Sequence, residues 1–287
     1  MVKKVTILIV FLEVSIFAAI AALSICMRKF MKPFTRGFFR DDQSIMHPFH
    51  SSTISSAVLY CVGFIVPGAV MILTEGIYAK YMHKRKKRKL VFNMFLWNTY
   101  HVVGLFMFGA AVTHLLTNIP KYTIGRLRPH FMSVCKPDWS KLTSNDSYIV
   151  QDICTGPDTS LIMEARVSFP SGHSSMSMYC AVILMLYLEK RLNCKNFMLV
   201  RPTLQLAAFS MAFFTCLSRI SDYKHHWSDV LAGAILGMAI AYVIMVRMTQ
   251  VVFHKRTSRD ASSSMEFPNP CYHYSSSPIP TVISTDF

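Results

Sequence analysis

Six apolar segments, separated by polar and basic loops, dominate the pattern of residues along this chain. A helix needs about 20 consecutive, mainly apolar residues to cross the hydrocarbon core of a bilayer. The fourth and fifth segments reach that length only if the polar turns at their outer ends are included. We therefore predict six transmembrane helices, at about residues 5–27, 56–79, 95–119, 175–188, 203–217 and 227–246.

The first segment follows Met-Val-Lys-Lys and could also be the core of a cleavable signal peptide. Its apolar run is longer than the roughly 7 to 15 residues of such a core, and no clear small-residue cleavage site follows it. We therefore predict that this segment is retained as the first span.

The composition agrees with a membrane protein and changes how the positive charge is interpreted. Hydrophobic residues make up 52% of the chain, charged residues 16%, and the mean hydropathy is +0.36, which is too apolar for an ordinary soluble domain. The formal net charge of +15 would suit nucleic acid. Its placement in the loops between apolar segments argues otherwise, so we predict no nucleic-acid partner.

The basic loops also predict an orientation. The densest cluster, residues 83–89, lies between the second and third segments and is expected on the cytoplasmic side. Both termini are then cytoplasmic, in the plasma membrane or an endomembrane. Residues 1–250 form the six-span domain, and 251–287 are a Ser- and Pro-rich tail that we predict to be disordered. Its last residues, Thr285, Asp286 and Phe287, could dock on a PDZ-type domain.

The first stretch of candidate chemistry is Lys121-x6-Arg128-Pro129, which this orientation places at the outer end of the third span. On a continuous helix, Lys121 and Arg128 would lie on one face, whereas Arg126 would point well away. The pair could bind a phosphate. The alternative, which this stretch taken alone favours, is two cations that reach from a helix end toward the membrane surface, as is common.

The second stretch, Pro170-Ser171-Gly172-His173, directly precedes the fourth segment. Free N–H groups at a helix start can hold an anion, and Gly172 allows its close approach. Ser171 and His173 could add side-chain donors. The alternative is an ordinary helix start with Ser171 as its cap.

The third stretch, residues 218–229, combines two adjacent histidines with carboxylates and Arg219. His225 and Asp229 are four residues apart, so on a helix the carboxylate could orient the imidazole, as in a catalytic triad. His226 is three residues from the same Asp229, and Asp222 is close to both histidines in sequence. The spacing therefore does not identify the nucleophile, and a polar cluster at the membrane interface is the alternative interpretation.

In order and spacing, the three stretches together resemble the signature of the type 2 phosphatidate phosphatase superfamily. The longer runs KYTIGRLRPHF and SDYKHHWSDVLAG are similar to the animal lipid phosphate phosphatases within it. The resemblance covers about residues 1–250. It implies an all-α, polytopic membrane protein with six transmembrane helices and a catalytic helical bundle of the acid phosphatase/haloperoxidase type.

The resemblance also implies roles for individual residues. His225 would be the nucleophile, Asp229 would orient it, and His173 would be the general acid and base. The phosphate would be held by Lys121, Arg128, Ser171, Gly172 and Arg219. No metal or other cofactor would be needed, because the cations replace Mg²⁺. The substrates would be phospholipid and sphingolipid phosphates: phosphatidate, lysophosphatidate, ceramide phosphate and sphingosine phosphate.

Further expectations concern the long outer loop and the rival functions. Asn145 begins a glycosylation sequon, and Cys135 and Cys154 could form a disulfide there. Glu13, His101 and His114 are expected to face the bundle interior. The chain, in contact with membrane lipids, could form a homo-oligomer. Two rivals are a membrane scaffold that has the fold without turnover, and a transporter or channel that uses the polar cluster as an ion path.

Overall fold

The computed structural model describes residues 2–83, 88–142, 147–192 and 198–253, which are almost entirely helical. The prediction of an all-α fold is confirmed. The helices, in chain order, are α1 (Val2–Phe30), α2 (Ser56–His83), α3 (Arg88–Ile124), α4 (Phe131–Cys135), α5 (Thr159–Glu164), α6 (Gly172–Arg191), α7 (Val200–Ser221) and α8 (Trp227–Met248). Two short strands, β1 (Phe38–Phe39) and β2 (Tyr148–Ile149), pair antiparallel.

Within the described ranges, five helices are long and apolar enough to cross a membrane, which is the architecture of a multi-pass membrane protein. These segments are Ile7–Phe30, Ser56–Lys80, Arg88–Ile124, Val200–Ser221 and Trp227–Val252. The predicted fourth span corresponds to α6, which has 20 residues but is not among the five. Serines and a histidine in its first turns, and basic residues in its last, lower its hydropathy. The sixth span therefore stays a prediction.

The predicted boundaries need correction where polar turns extend the helices. α6 begins at Gly172 rather than at residue 175, and α7 runs from Val200 to Ser221 rather than over 203–217. A π-helical turn continues α8 over Thr249–Phe253. The tail from residue 254, with its candidate PDZ motif, lies outside the described residues.

The ends of the six long helices meet at one end of the bundle. Arg28 at the end of α1, Ser56 at the start of α2, Lys121 near the end of α3 and Gly172 at the start of α6 all line one cavity. The turn between α7 and α8 adds His225 to it. The alternating helix directions thus bring residues that are far apart in sequence to a common site.

Two glycines on α8 allow it to lie in backbone contact with α6. A Cβ atom at Gly237 would lie 2.1 Å from the Ser175 carbonyl oxygen, and one at Gly233 would lie 2.5 Å from that of Ser171. Small residues one turn apart are the usual means of close helix packing in membranes. This contact fixes the start of α6 against the start of α8, where two of the three candidate stretches lie.

A buried ion pair joins α2 to α6 at the opposite end of the bundle. Glu75 is 1% exposed, and its carboxylate accepts hydrogen bonds from Arg191 at 2.7 and 2.5 Å. Tyr187 and Asn98 donate to the same carboxylate at 3.0 and 3.2 Å. Glu75 is thus an acidic residue inside an apolar segment with all of its charge compensated by neighbouring helices.

Replacing Glu75 with alanine should destabilise the protein strongly. Arg191 would then lose the buried carboxylate to which it donates, and removing one partner of a buried ion pair typically costs roughly 3–5 kcal/mol of unfolding free energy. Thermal unfolding of the purified protein in detergent measures this. Glu189→Ala, which removes an exposed pair with Arg201, is the matched control and should change the midpoint little. Equal midpoints for the two variants would contradict the structural role of Glu75.

A small extramembrane cap covers the cavity end of the bundle and has its own core. Phe38, Phe131 and Ile149 are buried in it, and the Cys135–Cys154 disulfide is formed there. The Arg128 N–H donates to the Ala165 carbonyl at 2.8 Å, which ties the segment after α3 to the segment before α6. Asn145 lies outside the described residues, so its glycosylation stays a prediction.

Candidate active site

A cavity of about 600 Å³ lies where the long helices meet. It is lined by five of the eight candidate catalytic and phosphate-binding residues: Lys121, Arg128, Gly172, His173 and His225. The other three, Ser171, Arg219 and Asp229, are buried behind its wall. All three sequence stretches therefore converge on one place.

The end of α3 differs from the sequence interpretation. The helix ends at Ile124, and Gly125 adopts a positive φ of 59° where a Cβ would lie 2.0 Å from the Phe34 carbonyl oxygen. Lys121 and Arg128 are therefore not on one helical face, and that part of the prediction is wrong. Both still line the cavity, because the chain turns sharply at Gly125 and returns beside the helix end.

The two cations at this wall are held in different ways. Lys121 Nζ donates to the Val167 carbonyl at 3.0 Å. Arg128 is 7% exposed and pairs with Glu164 through an Nη1–Oε1 contact of 2.9 Å. Its Nε is buried without a hydrogen-bond partner among the described residues. Arg128 therefore has donor capacity left for an anion in the cavity.

Arg126, which helical geometry placed away from this pair, instead contacts the third stretch. Its Nη1 lies 2.5 Å from Asp229 Oδ1 and 2.8 Å from Ser228 Oγ. The same turn at Gly125 causes this, because it rotates Arg126 toward the start of α8. Arg126 is thus a counter-ion for the buried Asp229.

The start of α6 combines a capped helix end with an unpartnered imidazole. Ser171 is fully buried, and its Oγ accepts from the Ser174 N–H at 3.3 Å, so its side chain acts as an N-cap. A Cβ on Gly172 would lie 3.8 Å from Lys121 Cε, which places this backbone against the cation. His173 Nε2 is buried without a hydrogen-bond partner in the described part of the chain. That nitrogen is available to a bound group.

The turn between α7 and α8 separates the two adjacent histidines. His225 is 4% exposed and lines the cavity, with its Nδ1 3.4 Å from Ser168 Oγ. His226 instead lines a separate, smaller pocket beside Arg126. Asp222, the other carboxylate of this stretch, accepts from Arg219 at 2.9 Å and from the Thr53 N–H at 2.8 Å. The geometry therefore favours His225 as the residue that meets a ligand.

Asp229 is fully buried and contacts His225 mainly through another residue. Its Oδ2 accepts from Ser168 Oγ at 2.5 Å and lies 3.2 Å from His226 Nδ1. Its distance to His225 Nδ1 is 3.9 Å, which is too long for a hydrogen bond. Ser168 Oγ lies between Asp229 and His225 and contacts both. Asp229 can therefore orient His225 through Ser168, whereas the family resemblance assigned this role to Asp229 alone.

The electrostatic surroundings of His225 keep its imidazole uncharged. Burial, followed by the nearby cations Arg128 and Lys121, lowers the pKa of His225 well below its usual value. A histidine with such a pKa is neutral at pH 7. Since Nδ1 faces Ser168 and Asp229, the lone pair available for chemistry is on Nε2.

The arrangement can be compared with known proteins. A family model described as the PAP2 superfamily matches residues 102–252, which is more than half of the chain. The chain belongs to the PAP2 superfamily. The PAP2 match contains all eight candidate catalytic and phosphate-binding residues and leaves α1, α2 and the tail outside it.

Individual relatives extend the PAP2 assignment over most of the chain. It is 42% identical over 229 residues to phospholipid phosphatase 1 of Rattus norvegicus, covering 78% of each protein. It is 39% identical to the Mus musculus phospholipid phosphatase 1, with 85% of each covered. It is 40% identical to phospholipid phosphatase 2 of Bos taurus, with 77% of this chain and 76% of the relative covered. No solved structure matches the chain.

Three residues that contact this PAP2 site did not stand out in the sequence. They are Arg126, Ser168 and Glu164. One signal was available for Arg126, because a buried aspartate such as Asp229 requires a cation or several donors. Ser168 lies in an irregular segment and Glu164 ends the short helix α5, so neither belongs to a pattern long enough to predict where its side chain points.

Replacing Arg126 with glutamine should lower kcat while leaving KM nearly unchanged, because Arg126 contacts Asp229 and does not line the cavity. Losing a charge-assisted hydrogen bond of about 1.5–3 kcal/mol corresponds to a loss of about one to two orders of magnitude in rate. Arg126→Lys should restore part of it. Steady-state phosphate release measures both, with the exposed Arg40→Gln as control. An unchanged kcat in Arg126→Gln would contradict this positioning role.

Proposed function

We propose that this PAP2 protein hydrolyses lipid phosphate monoesters through a phosphohistidine on His225, without a metal ion. The family and the phospholipid phosphatase relatives support the general assignment as a lipid phosphatase. The phosphohistidine mechanism without a metal ion is supported by one observation. Two imidazoles and two cations line the same cavity: His173, His225, Lys121 and Arg128.

In the first step, His225 Nε2 attacks phosphorus and the bond to the alcohol oxygen breaks. His173 donates a proton to that oxygen, which leaves as the lipid alcohol. In the second step, water attacks the phosphohistidine, His173 accepts a proton from it, and the phosphorus–nitrogen bond breaks. Inorganic phosphate is released, and both histidines return to their starting states. The neutral state of His225 and the unpartnered Nε2 of His173 support these roles. Burial and the cations Arg219, Arg128 and Lys121 lower the pKa of His173 to about 4. We therefore propose that the negative charge of the bound phosphate raises this pKa, so that His173 takes up the proton it donates when the substrate binds.

The positive charge around the cavity would stabilise the transferring phosphoryl group. Many phosphoryl-transfer enzymes use Mg²⁺ for this purpose. Here Lys121 and Arg128 line the cavity, and Arg219 is close enough to His173 to affect its charge. Fixed cations in a site with little water act strongly on the charge that develops in the transition state. We therefore propose that no metal ion takes part.

The site is proposed to face the outer or lumenal side of the membrane. α2 ends at His83 and α3 begins at Arg88, both at the opposite end of those helices from the cavity, and the basic cluster of the sequence falls at this connection. If that cluster is cytoplasmic, the cavity opens to the other leaflet. Apolar residues in the cavity wall, among them Met31, Leu59 and Met176, suit the chain of a lipid substrate.

Phosphate release by the purified protein in detergent tests the proposal. We expect it to hydrolyse lysophosphatidate in the presence of a chelator, with no loss relative to added Mg²⁺. Vanadate, which mimics the five-coordinate phosphoryl state, should inhibit. Activity that disappears with chelator and returns with Mg²⁺ would refute the metal-free mechanism. No release from any lipid phosphate would favour the scaffold without turnover.

A further inference from the structure

The catalytic residues occupy only one side of the cavity. The other side is formed by α1, α2 and the inner face of α3, and α1 and α2 lie outside the PAP2 match. We call this side the α1 annex and define it by Arg28, Tyr60, His114 and Asn118, with Ser24 behind them. None of these residues takes part in the mechanism proposed above.

A buried polar network holds the annex together across α1 and α3. Ser24 Oγ lies 2.6 Å from His114 Nδ1. The Asn118 amide donates to Ser24 Oγ at 2.9 Å and approaches His114 Nδ1 at 3.3 Å. Two donors therefore point at His114 Nδ1, so this nitrogen is the acceptor and the proton of the neutral ring is on Nε2. His114 consequently offers an N–H donor on a ring that lines the cavity.

Arg28 adds a second donor group at the end of α1. It is exposed, lines the cavity, and makes no ion pair among the described residues. A guanidinium has five N–H donors and no acceptor. Together with His114, it makes the annex a site that suits oxygen acceptors of a ligand.

The annex lies at a fixed spacing from the phosphate-binding side. Asn118 and His114 precede Lys121 on α3 by three and seven residues, which is about 5 and 10 Å along the helix axis. In an acylglycerol phosphate, the glycerol and ester oxygens lie within this range of the phosphorus. A phosphate held at Lys121 would therefore present its backbone oxygens to the annex.

We propose that the α1 annex binds the glycerol hydroxyl and ester oxygens of an acylglycerol phosphate, with Arg28 and His114 as specificity-determining residues. This inference rests on the proposed function, because the annex shares its cavity with the reacting phosphate. Ser24 and Asn118 act as positioning residues by holding the tautomer and orientation of His114.

A comparison of two substrates tests this inference. Palmitoyl lysophosphatidate carries the backbone oxygens, whereas hexadecyl phosphate has the phosphate and a similar chain without them. The measured quantity is the ratio of kcat/KM for the two substrates. Arg28→Gln and Ser24→Ala should each lower this ratio about tenfold, since each weakens a hydrogen bond made only to the first substrate.

Two control variants lie on the same helix. Lys29→Gln removes the neighbouring charge outside the cavity, and Ser15→Ala removes an exposed hydroxyl that donates to the Phe11 carbonyl. Both should keep the parental ratio. An unchanged ratio in Arg28→Gln and Ser24→Ala, or an equal loss on both substrates, would overturn the annex assignment. If the parent protein hydrolyses neither substrate, the proposed function itself fails.

Discussion

Replacing His225 with alanine is expected to abolish phosphate release from lysophosphatidate, with kcat/KM falling by a factor on the order of 10⁴ or more. His225 is the only imidazole of its stretch that lines the cavity within the described chain, and its buried ring is neutral and oriented through Ser168. Without it, the cavity loses the proposed nucleophile. Steady-state release by the purified variant measures the loss.

His226→Ala is the matched comparison for this variant. His226 is the adjacent residue and also contacts Asp229, but it faces another pocket. We expect it to retain far more activity than His225→Ala. The reverse order of the two losses would show that the nucleophile is assigned to the wrong histidine.

Replacing His173 with asparagine should give the second largest loss, and its size should depend on the leaving group. General acid catalysis contributes typically about 10²- to 10⁴-fold, so release from lysophosphatidate should fall by that factor. An aryl phosphate such as p-nitrophenyl phosphate has an oxygen that leaves without a proton. The first step on that substrate should therefore proceed at nearly the parental rate in His173→Asn, as pre-steady-state release of nitrophenol measures.

A loss of equal size in the first step on both substrates would contradict the role of His173 as the proton donor. It would instead indicate that His173 shapes the cavity or holds the phosphate. Its Nε2 is buried and has no partner in the described ranges, so it is free to donate to the oxygen of a leaving group. Both substrates carry the same phosphate group, so a difference between their first-step losses in His173→Asn reports on the leaving group and not on phosphate binding.

The helical architecture could be predicted because a membrane leaves few alternatives. Backbone groups in hydrocarbon must be paired within the chain, so long apolar segments become helices. The boundaries were less accurate, since the ends of α6 and α7 contain polar residues that hydropathy assigns to loops. At the cavity end, the polar residues of these turns belong to the helices because they are buried, among them Ser174 in α6 and Ser218 and Arg219 in α7.

The site could be predicted as three stretches but not as a set of contacts. The prediction that Lys121 and Arg128 share one helical face was wrong because the helix ends at Ile124. Gly125 turns the chain there, where Phe34 approaches it. That approach involves a segment 91 residues away in sequence, which no local pattern reveals. The choice between His225 and His226 depended in the same way on which side of the α7–α8 turn faces the cavity.

The partners of buried charged residues could not be predicted from the sequence either. Glu75 is an acidic residue inside an apolar segment, and its partner Arg191 is 116 residues away. The pairing of Asp229 with Arg126 spans 103 residues. Sequence can indicate that such a buried charge requires a partner, whereas the identity of the partner depends on how the helices pack.

Trapping of the covalent intermediate tests the central mechanism most directly. In His173→Asn with labelled p-nitrophenyl phosphate, the first step should proceed while the hydrolysis step lacks its base. A phosphoenzyme should therefore accumulate that is stable in alkali and labile in acid, as phosphohistidine is. Peptide mapping should place the label on His225. Label on another residue, or turnover without any trapped phosphoenzyme, would contradict the account.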